Sequence, residues 1–256
     1  MHTYKLTIAY DGTNYSGWQI QANATSIQSL IEEALKILLK EHVPLMGAGR
    51  TDAGVHAEAQ VAHFYSDKTL DLLRIRASLN GLLPPDIRIL SIELAPSGFH
   101  ARYSATSKEY HYHLHLDRVQ NPLKRLYSYH LLHHLDQTLL KEATHSFTGT
   151  HDFTSFTNQA HQGCAAKNAV RTIFRLGVIP EEGGVRLEFE GNGFLYKMVR
   201  NITGTLIDVA CGKIPLEKIP DIFAAKDRCL SGRIAPAHGL FLKKISYSNT
   251  SYSNLI

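Results

Sequence analysis

The chain opens on an alternation. From Tyr4 to Tyr10 apolar and polar side chains take turns, with Leu6, Ile8 and Tyr10 on one side and β-branched Thr7 between them. A period of two predicts a strand. The next segment, DGTNYSGWQIQ, carries turn residues that include two glycines. The period then changes. Ile27, Leu30, Ile31, Ala34, Leu35 and Leu38 recur at helical spacing, and Ser26 stands where an N-cap belongs. Pro44–Met46 predicts a short strand, and Ala59–Tyr65 a longer one with Val61 and Phe64 apolar. Leu70–Leu82 reads as a helix that stops before Pro84-Pro85, and Ile87–Leu94 alternates again as a strand. The resulting order, β-α-β-β-α-β, is the split βαβ arrangement of ferredoxin-like folds.

The rest of the chain reads in a similar way. Tyr110–Leu116 predicts a strand, Leu131–Ser146 a helix, Val170–Val178 and Val185–Glu190 a strand pair, Phe194–Cys211 a helix and Leu240–Ser246 a last strand. The paired strands are joined by PEEGG, whose glycines suit a hairpin. The expected fold class is therefore α/β (α+β), with two ferredoxin-like halves, a central mixed sheet, flanking helices and a cleft between the lobes. Residues 1–104 form the first half, 105–248 the second, and 249–256, rich in Ser, Asn and Tyr, a frayed tail. The halves show no close sequence repeat, and no Gly-, Ser- or Pro-rich linker separates them.

Composition narrows the class without naming it. The 256 residues are 44% hydrophobic, enough to bury a substantial core. A net charge of +4 permits a polyanionic partner without demanding one. Cys164, Cys211 and Cys229 are few, scattered and odd in number, which argues against a disulfide framework or a Cys-rich zinc site and fits a reducing cytoplasm. The N-terminus lacks the apolar stretch of a signal peptide, and no run approaches the roughly 20 apolar residues of a membrane span. The expectation is a soluble, cytoplasmic protein.

The densest polar cluster is Gly47-Ala48-Gly49-Arg50-Thr51-Asp52-Ala53-Gly54-Val55-His56-Ala57, between two predicted strands. Its glycines let backbone approach a ligand closely. Arg50 and Asp52, two residues apart, can point the same way in an extended loop, where the cation would orient the carboxylate. A P-loop would need a Lys after Gly54, and a dinucleotide fingerprint would need a helix to begin inside the glycines. The bland reading is a tight connection with a local Arg–Asp pair.

GRTDAGVHA resembles, residue for residue, the signature of the TruA family of tRNA pseudouridine synthases. Further blocks follow in that family's order: Tyr10–Gln19, Phe99–Arg102, Ser107–Tyr112, His151–Phe156, Gly193–Asn201 and Ala235–Leu240. His238 departs from the pattern, since Glu is more usual there. The resemblance implies an isomerase that converts uridine to pseudouridine in the anticodon stem-loop of tRNA, as a homodimer, with no metal or organic cofactor and no DNA or membrane partner. Carried over to matching positions, Asp52 is the catalytic carboxylate, Arg50 helps extrude the base and Tyr110 stacks on the flipped uracil. Arg200 is the basic partner of Asp52, and Leu195 lines the substrate site.

Such a reaction needs a carboxylate near C1′. It attacks C1′, removes the C2′ proton or attacks C6 of the ring, and the residues do not choose among these routes. An aromatic face holds the detached base, a contact worth roughly 1–3 kcal/mol. Diffuse positive charge suits a folded tRNA read by shape and phosphates. Arg102, Lys108 and Lys197 are RNA-binding candidates, with Arg74, Arg76, Lys124, Arg125, Lys167 and Arg171 further cations of the same kind. Asp11 and Trp18 shape the opening loop or contact RNA, core packing being the other reading of Trp18.

Two rivals remain. His111, His113 and His115 alternate on a predicted strand, a spacing that suits a zinc hydrolase, although no carboxylate motif accompanies them. A non-catalytic RNA-binding module with ferredoxin-like halves would show an RNP1-type aromatic motif, which is absent.

Overall fold

The computed structural model describes residues 1–158 and 168–248; Cys164, Lys167 and the tail from 249 lie outside it. In the first half, β1 (His2–Tyr10) buries Leu6, Ile8 and Tyr10, the side that the alternation selects. Helix α1 (Ile27–Leu39) begins at Ser26, whose side chain accepts the Ser29 N–H at 3.2 Å. Ile27, Ile31, Ala34 and Leu35 of its apolar stripe are buried. Ser26→Ala should therefore cost about 1 kcal/mol. Urea unfolding should show a lower midpoint with an unchanged slope.

Four more elements complete this half: β2 (Met46–Gly47), β3 (His56–Ser66), α2 (Leu72–Leu82) and β4 (Ile87–Leu94). The second strand is shorter and later than the pattern predicts, and the third is longer at both ends. Asp71, not Leu70, sets the start of α2, because its side chain accepts the Arg74 N–H at 3.1 Å.

The second half contains β5 (Ala105–His115), β6 (Tyr129–His130), α3 (Gln137–Thr144), β7 (Gly149–Asp152), β8 (Val170–Glu181), β9 (Gly184–Gly191), α4 (Met198–Ala210), α5 (Ile219–Ala225) and β10 (Leu240–Tyr247). The expected helix from Leu131 starts only at Gln137. Leu131 instead donates its N–H to His115 O at 2.9 Å, and Asp136 caps the helix through the Thr138 and Leu139 N–H groups. The helix expected from Phe194 starts at Met198, after Lys197 in the left-handed region with φ 60°. Strand β5 begins five residues early, because pairing with β10 from Ala105 on, joined by β9 from Lys108, carries the polar run Ala105–Glu109 as strand. Between β8 and β9 only Glu182 and Gly183 remain as turn, with Gly183 at φ 76°. The two-residue strand β6, the short β7 and helix α5 have no counterpart in the sequence pattern.

One ten-stranded sheet runs β4-β1-β3-β10-β5-β9-β8-β7, with β2 on β3 and β6 on β5. The fold class is as expected, mixed α/β with a central mixed sheet. The order is β4-β1-β3 in the first half and β10-β5-β9-β8 in the second. The halves join where β10 lies parallel to β3, Phe241 beside His56 and Leu242 beside Ala57. That join sets the end of the polar loop before β3 against the second half. No helix is long and apolar enough to cross a membrane, among the described residues.

Candidate active site

The polar loop is anchored from below before any side chain is aimed. Trp18 N–H donates to Thr51 O at 3.1 Å, Gly54 N–H to Tyr15 O at 3.4 Å, and Thr51 Oγ1 lies 2.8 Å from the buried Tyr10 hydroxyl. Gly17, at φ 89°, sits where an added Cβ would stand 2.4 Å from Thr51 O, so the opening loop reaches this backbone only as glycine. Lys108 Nζ donates to Ala48 O at 2.7 Å and Gln60 Nε2 to Gly49 O at 3.0 Å. At the far end, buried His56 accepts the Gly12 N–H at Nδ1 (3.0 Å) and its Nε2 lies 3.0 Å from Leu126 O. Burial pushes the His56 pKa down against the pull of Asp11. Gln60 is a support the residue pattern did not single out, and His56, part of the motif, had no role assigned there. A polar side chain buried on a strand is visible only once the strand's neighbours are known.

Held in this way, Asp52 faces the second half. Arg200 Nη1 donates to Asp52 Oδ2 at 2.7 Å, while Arg200 Nε donates to Ala235 O at 2.8 Å. The pair is 13% (Arg200) and 17% (Asp52) exposed, enough for a substrate to reach and little enough that water screens it poorly. Arg50 does not pair with Asp52. It turns outward, and its Nε donates to Gln19 Oε1 at 3.1 Å. The local Arg–Asp pair is thus replaced by one spanning 148 positions.

Around the carboxylate, Arg50, Thr51 and Val55 from the first half meet Tyr110, Leu195, Lys197 and Arg200 from the second in one pocket. Phe194 stands edge-on to Tyr110, ring centres 5.2 Å apart, and completes an apolar wall with Leu195. Burial, then Tyr10 and Asp52, raise the Tyr110 pKa, so its phenol is neutral at physiological pH. Lys197 lies at the rim, its ammonium 4.9 Å over the Tyr196 ring.

Other candidates are placed elsewhere. Trp18 is 1% exposed and packs against Gly47, a core position beneath the loop. Asp11 organises its own loop. Its Oδ1 accepts from Thr13 N–H (3.0 Å) and Thr13 Oγ1 (2.6 Å), and its Oδ2 from the Tyr127 hydroxyl (2.6 Å). Burial opposes that charge, but these bonds and His56 outweigh it and lower the Asp11 pKa. Arg102 is exposed, with its guanidinium 5.7 Å over the Tyr103 ring.

The three alternating histidines do not converge. His111 Nε2 lies 2.9 Å from Glu109 Oε1, His113 Nδ1 is 2.8 Å from Glu181 Oε2, and His115 Nε2 is 3.1 Å from Val119 O. Glu109, His111 and Glu188 do bring donor atoms within 4.8 Å of one another. Arg175 and Arg186 already bind these carboxylates, Arg186 Nη2 at 2.6 Å from Glu188 Oε1, so guanidiniums stand where a cation would.

The pocket thus brings together a carboxylate held by a guanidinium, an aromatic face and a lysine. The family model described as a tRNA pseudouridine synthase matches residues 6–104 and 143–248. The chain is 62% identical over 250 residues to "tRNA pseudouridine synthase A 1" of Protochlamydia amoebophila, covering 97% of this chain and 98% of the relative. It is 42% identical over 251 residues to "tRNA pseudouridine synthase A" of Bacillus subtilis, covering 96% and 99%. With the protein of that name from Acetivibrio thermocellus the identity is 44% over 247 residues, covering 96% and 100%. The chain belongs to the TruA family of tRNA pseudouridine synthases, isomerases that convert uridine to pseudouridine.

Proposed function

We propose that the chain isomerises uridines in the anticodon arm of tRNA, with Asp52 as the essential carboxylate and no cofactor, and that it acts as a homodimer. The observation that carries the assignment of Asp52 is its ion pair with Arg200 across the two halves, at the base of the pocket that Tyr110 walls. The anticodon arm and the dimer rest on the resemblance of the sequence blocks.

The reaction balances without an outside reagent. The N1–C1′ bond breaks and the C5–C1′ bond forms. The C5 proton leaves, and N1 takes up one. The target leaves its stack at a cost of a few kcal/mol. Outward-facing Arg50, hydrogen-bonded to Gln19, supplies a charge for the vacated place or a neighbouring phosphate. Asp52 supports the bond exchange by one of the three carboxylate routes. Tyr110 and Phe194 hold the detached uracil while it turns.

The raised Tyr110 pKa favours stacking over proton removal as that residue's main task. Tyr110→Phe should keep a rate within a few-fold of wild type, whereas Tyr110→Ala should lose roughly 1–3 kcal/mol of base contact, about 5- to 160-fold. Equal loss in both variants would assign the task to the hydroxyl. The test of the function itself is tritium release from [5-³H]uridine-labelled tRNA, followed by mapping the product. Release with pseudouridine in the anticodon arm is the expected result. Release with pseudouridine elsewhere would overturn the site choice. No release by folded protein across a full tRNA pool would leave an RNA-binding module.

A further inference from the structure

Lys197 stands in a conformation that its residue type resists. At φ 60° and ψ 9° it is left-handed, the region that Gly or Asn usually takes. Lys40 and Lys226 share that region, but they close α1 and α5, where a left-handed residue is an ordinary helix ending. Lys197 instead precedes α4. It is the third residue of the tight turn Leu195–Met198, whose Met198 N–H donates to Leu195 O at 3.1 Å. Neighbouring groups hold the turn shut. Tyr196 O accepts from Thr157 Oγ1 at 3.1 Å, and Lys197 O accepts the Asn201 N–H at 3.0 Å.

Glycine makes such a turn at less cost, so the strain points to a task for the side chain. Lys197 lines the Asp52 pocket beside Leu195 and Met198. Its ammonium lies 4.9 Å over the Tyr196 ring, which restrains the long stem. That ammonium carries three N–H donors and makes no hydrogen bond or ion pair among the described residues. The other two cations of the pocket are engaged, Arg200 with Asp52 and Ala235 O, Arg50 with Gln19. Uracil suits such a donor. It presents two acceptors, O2 and O4. When the N1–C1′ bond breaks with its electrons on the base, negative charge spreads over N1 and both oxygens. A cation facing them binds that charged form more tightly than the neutral one, which is the condition for raising the rate.

We propose that Lys197 is a further substrate-contacting residue: its ammonium donates to a carbonyl oxygen of the extruded uracil and stabilises the charge the base takes on as it leaves C1′. This role rests on the reading of the Asp52 pocket as the place where the flipped uridine is held.

The test is single-turnover tritium release from a [5-³H]uridine-labelled anticodon stem-loop RNA at saturating enzyme, for wild type and Lys197→Gly, with Kd and urea unfolding measured alongside. Glycine suits the left-handed turn, so the variant should be at least as stable as wild type. Its rate should nevertheless fall about 10- to 100-fold, the loss of one hydrogen bond to a charged group, with Kd within a few-fold. The contact atom is read by a cycle with target 2-thiouridine and 4-thiouridine, because sulfur is a poor acceptor. At one of the two, sulfur should slow wild type more than it slows Lys197→Gly. Equal slowing of both proteins at both positions would overturn the contact. An unchanged rate in Lys197→Gly would make the residue part of the turn and nothing more. Weaker binding with an unchanged rate would move the ammonium from the base to the RNA backbone. The Asp52→Asn protein separates this role from the reading beneath it. Release by that variant would remove the pocket reading and the Lys197 contact together, whereas an inactive Asp52→Asn beside a fully active Lys197→Gly would overturn the Lys197 contact alone.

Discussion

Asp52→Asn is expected to bind tRNA within a few-fold of wild type and to release no measurable tritium from [5-³H]uridine-labelled substrate. The exchange keeps the size of the side chain and removes its charge. Asn can still accept from Arg200 Nη1 through its amide oxygen, at the 2.7 Å position the carboxylate now holds. The loop carries its anchors elsewhere, at Thr51, Ala48, Gly49 and His56, so the backbone should stay in place. What is lost is the nucleophile or base that each of the three routes needs. Removal of one catalytic carboxylate or nucleophile costs on the order of 10⁴- to 10⁶-fold. At the lower figure that is about 5.5 kcal/mol of transition-state stabilisation. Release by the variant at a tenth of the wild-type rate or more would keep the reaction and dismiss Asp52 as its carboxylate. Weakened binding with the chemical step intact, read by single turnover, would make Asp52 a substrate anchor instead.

Arg200→Met should be the second most damaging change, with a loss of about 10²- to 10³-fold carried mainly by the chemical step. Arg200 reaches Asp52 with Nη1 while Nε is fixed on Ala235 O at 2.8 Å, so one rigid fork sets the carboxylate's position from two points. Methionine keeps the packing and removes the fork. It also leaves a partly buried carboxylate unpaired, a change worth about 3–5 kcal/mol where burial is complete and less at 17% exposure. Arg200→Lys should recover little, because an ammonium on a flexible stem cannot hold both acceptors in that geometry. Single-turnover rates at saturating enzyme, with thermal unfolding as a check on folding, separate the outcomes. A rise in Kd with an unchanged rate would assign Arg200 to RNA binding alone. Full recovery by Lys would show that charge, not the fork, is what Asp52 requires.

Much of the fold is written in local periods. The stripe of α1 and the alternation of β1 show their buried faces directly, because each packs one face on the core and leaves the other to solvent. Elements held mainly by their neighbours are less legible. The run Ala105–Glu109 has no apolar rhythm and is strand because β10 pairs along it and β9 joins at Lys108. Leu131 is buried without belonging to the helix its spacing suggests, since it is tied to His115.

The site divides along the same line. The order of residues alone singled out GRTDAGVHA and, through family resemblance, proposed Asp52, Tyr110 and Arg200 together; a nine-residue polar, glycine-rich loop is a local feature and can be read locally. The resemblance named Arg200 as the partner of Asp52, and tertiary structure is what brings the two together and leaves Arg50, two positions away, on Gln19. The parallel seating of β10 on β3 brings the loop of one half against α4 of the other. The same holds for Trp18, packed against Gly47, and for His111, His113 and His115, which meet Glu109, Glu181 and the Val119 carbonyl in turn. A side chain's chemistry is fixed by its type, but its partner is fixed by which strands lie side by side. In this chain that order was set by contacts up to 185 positions apart, Lys243 of β10 meeting Glu58 of β3.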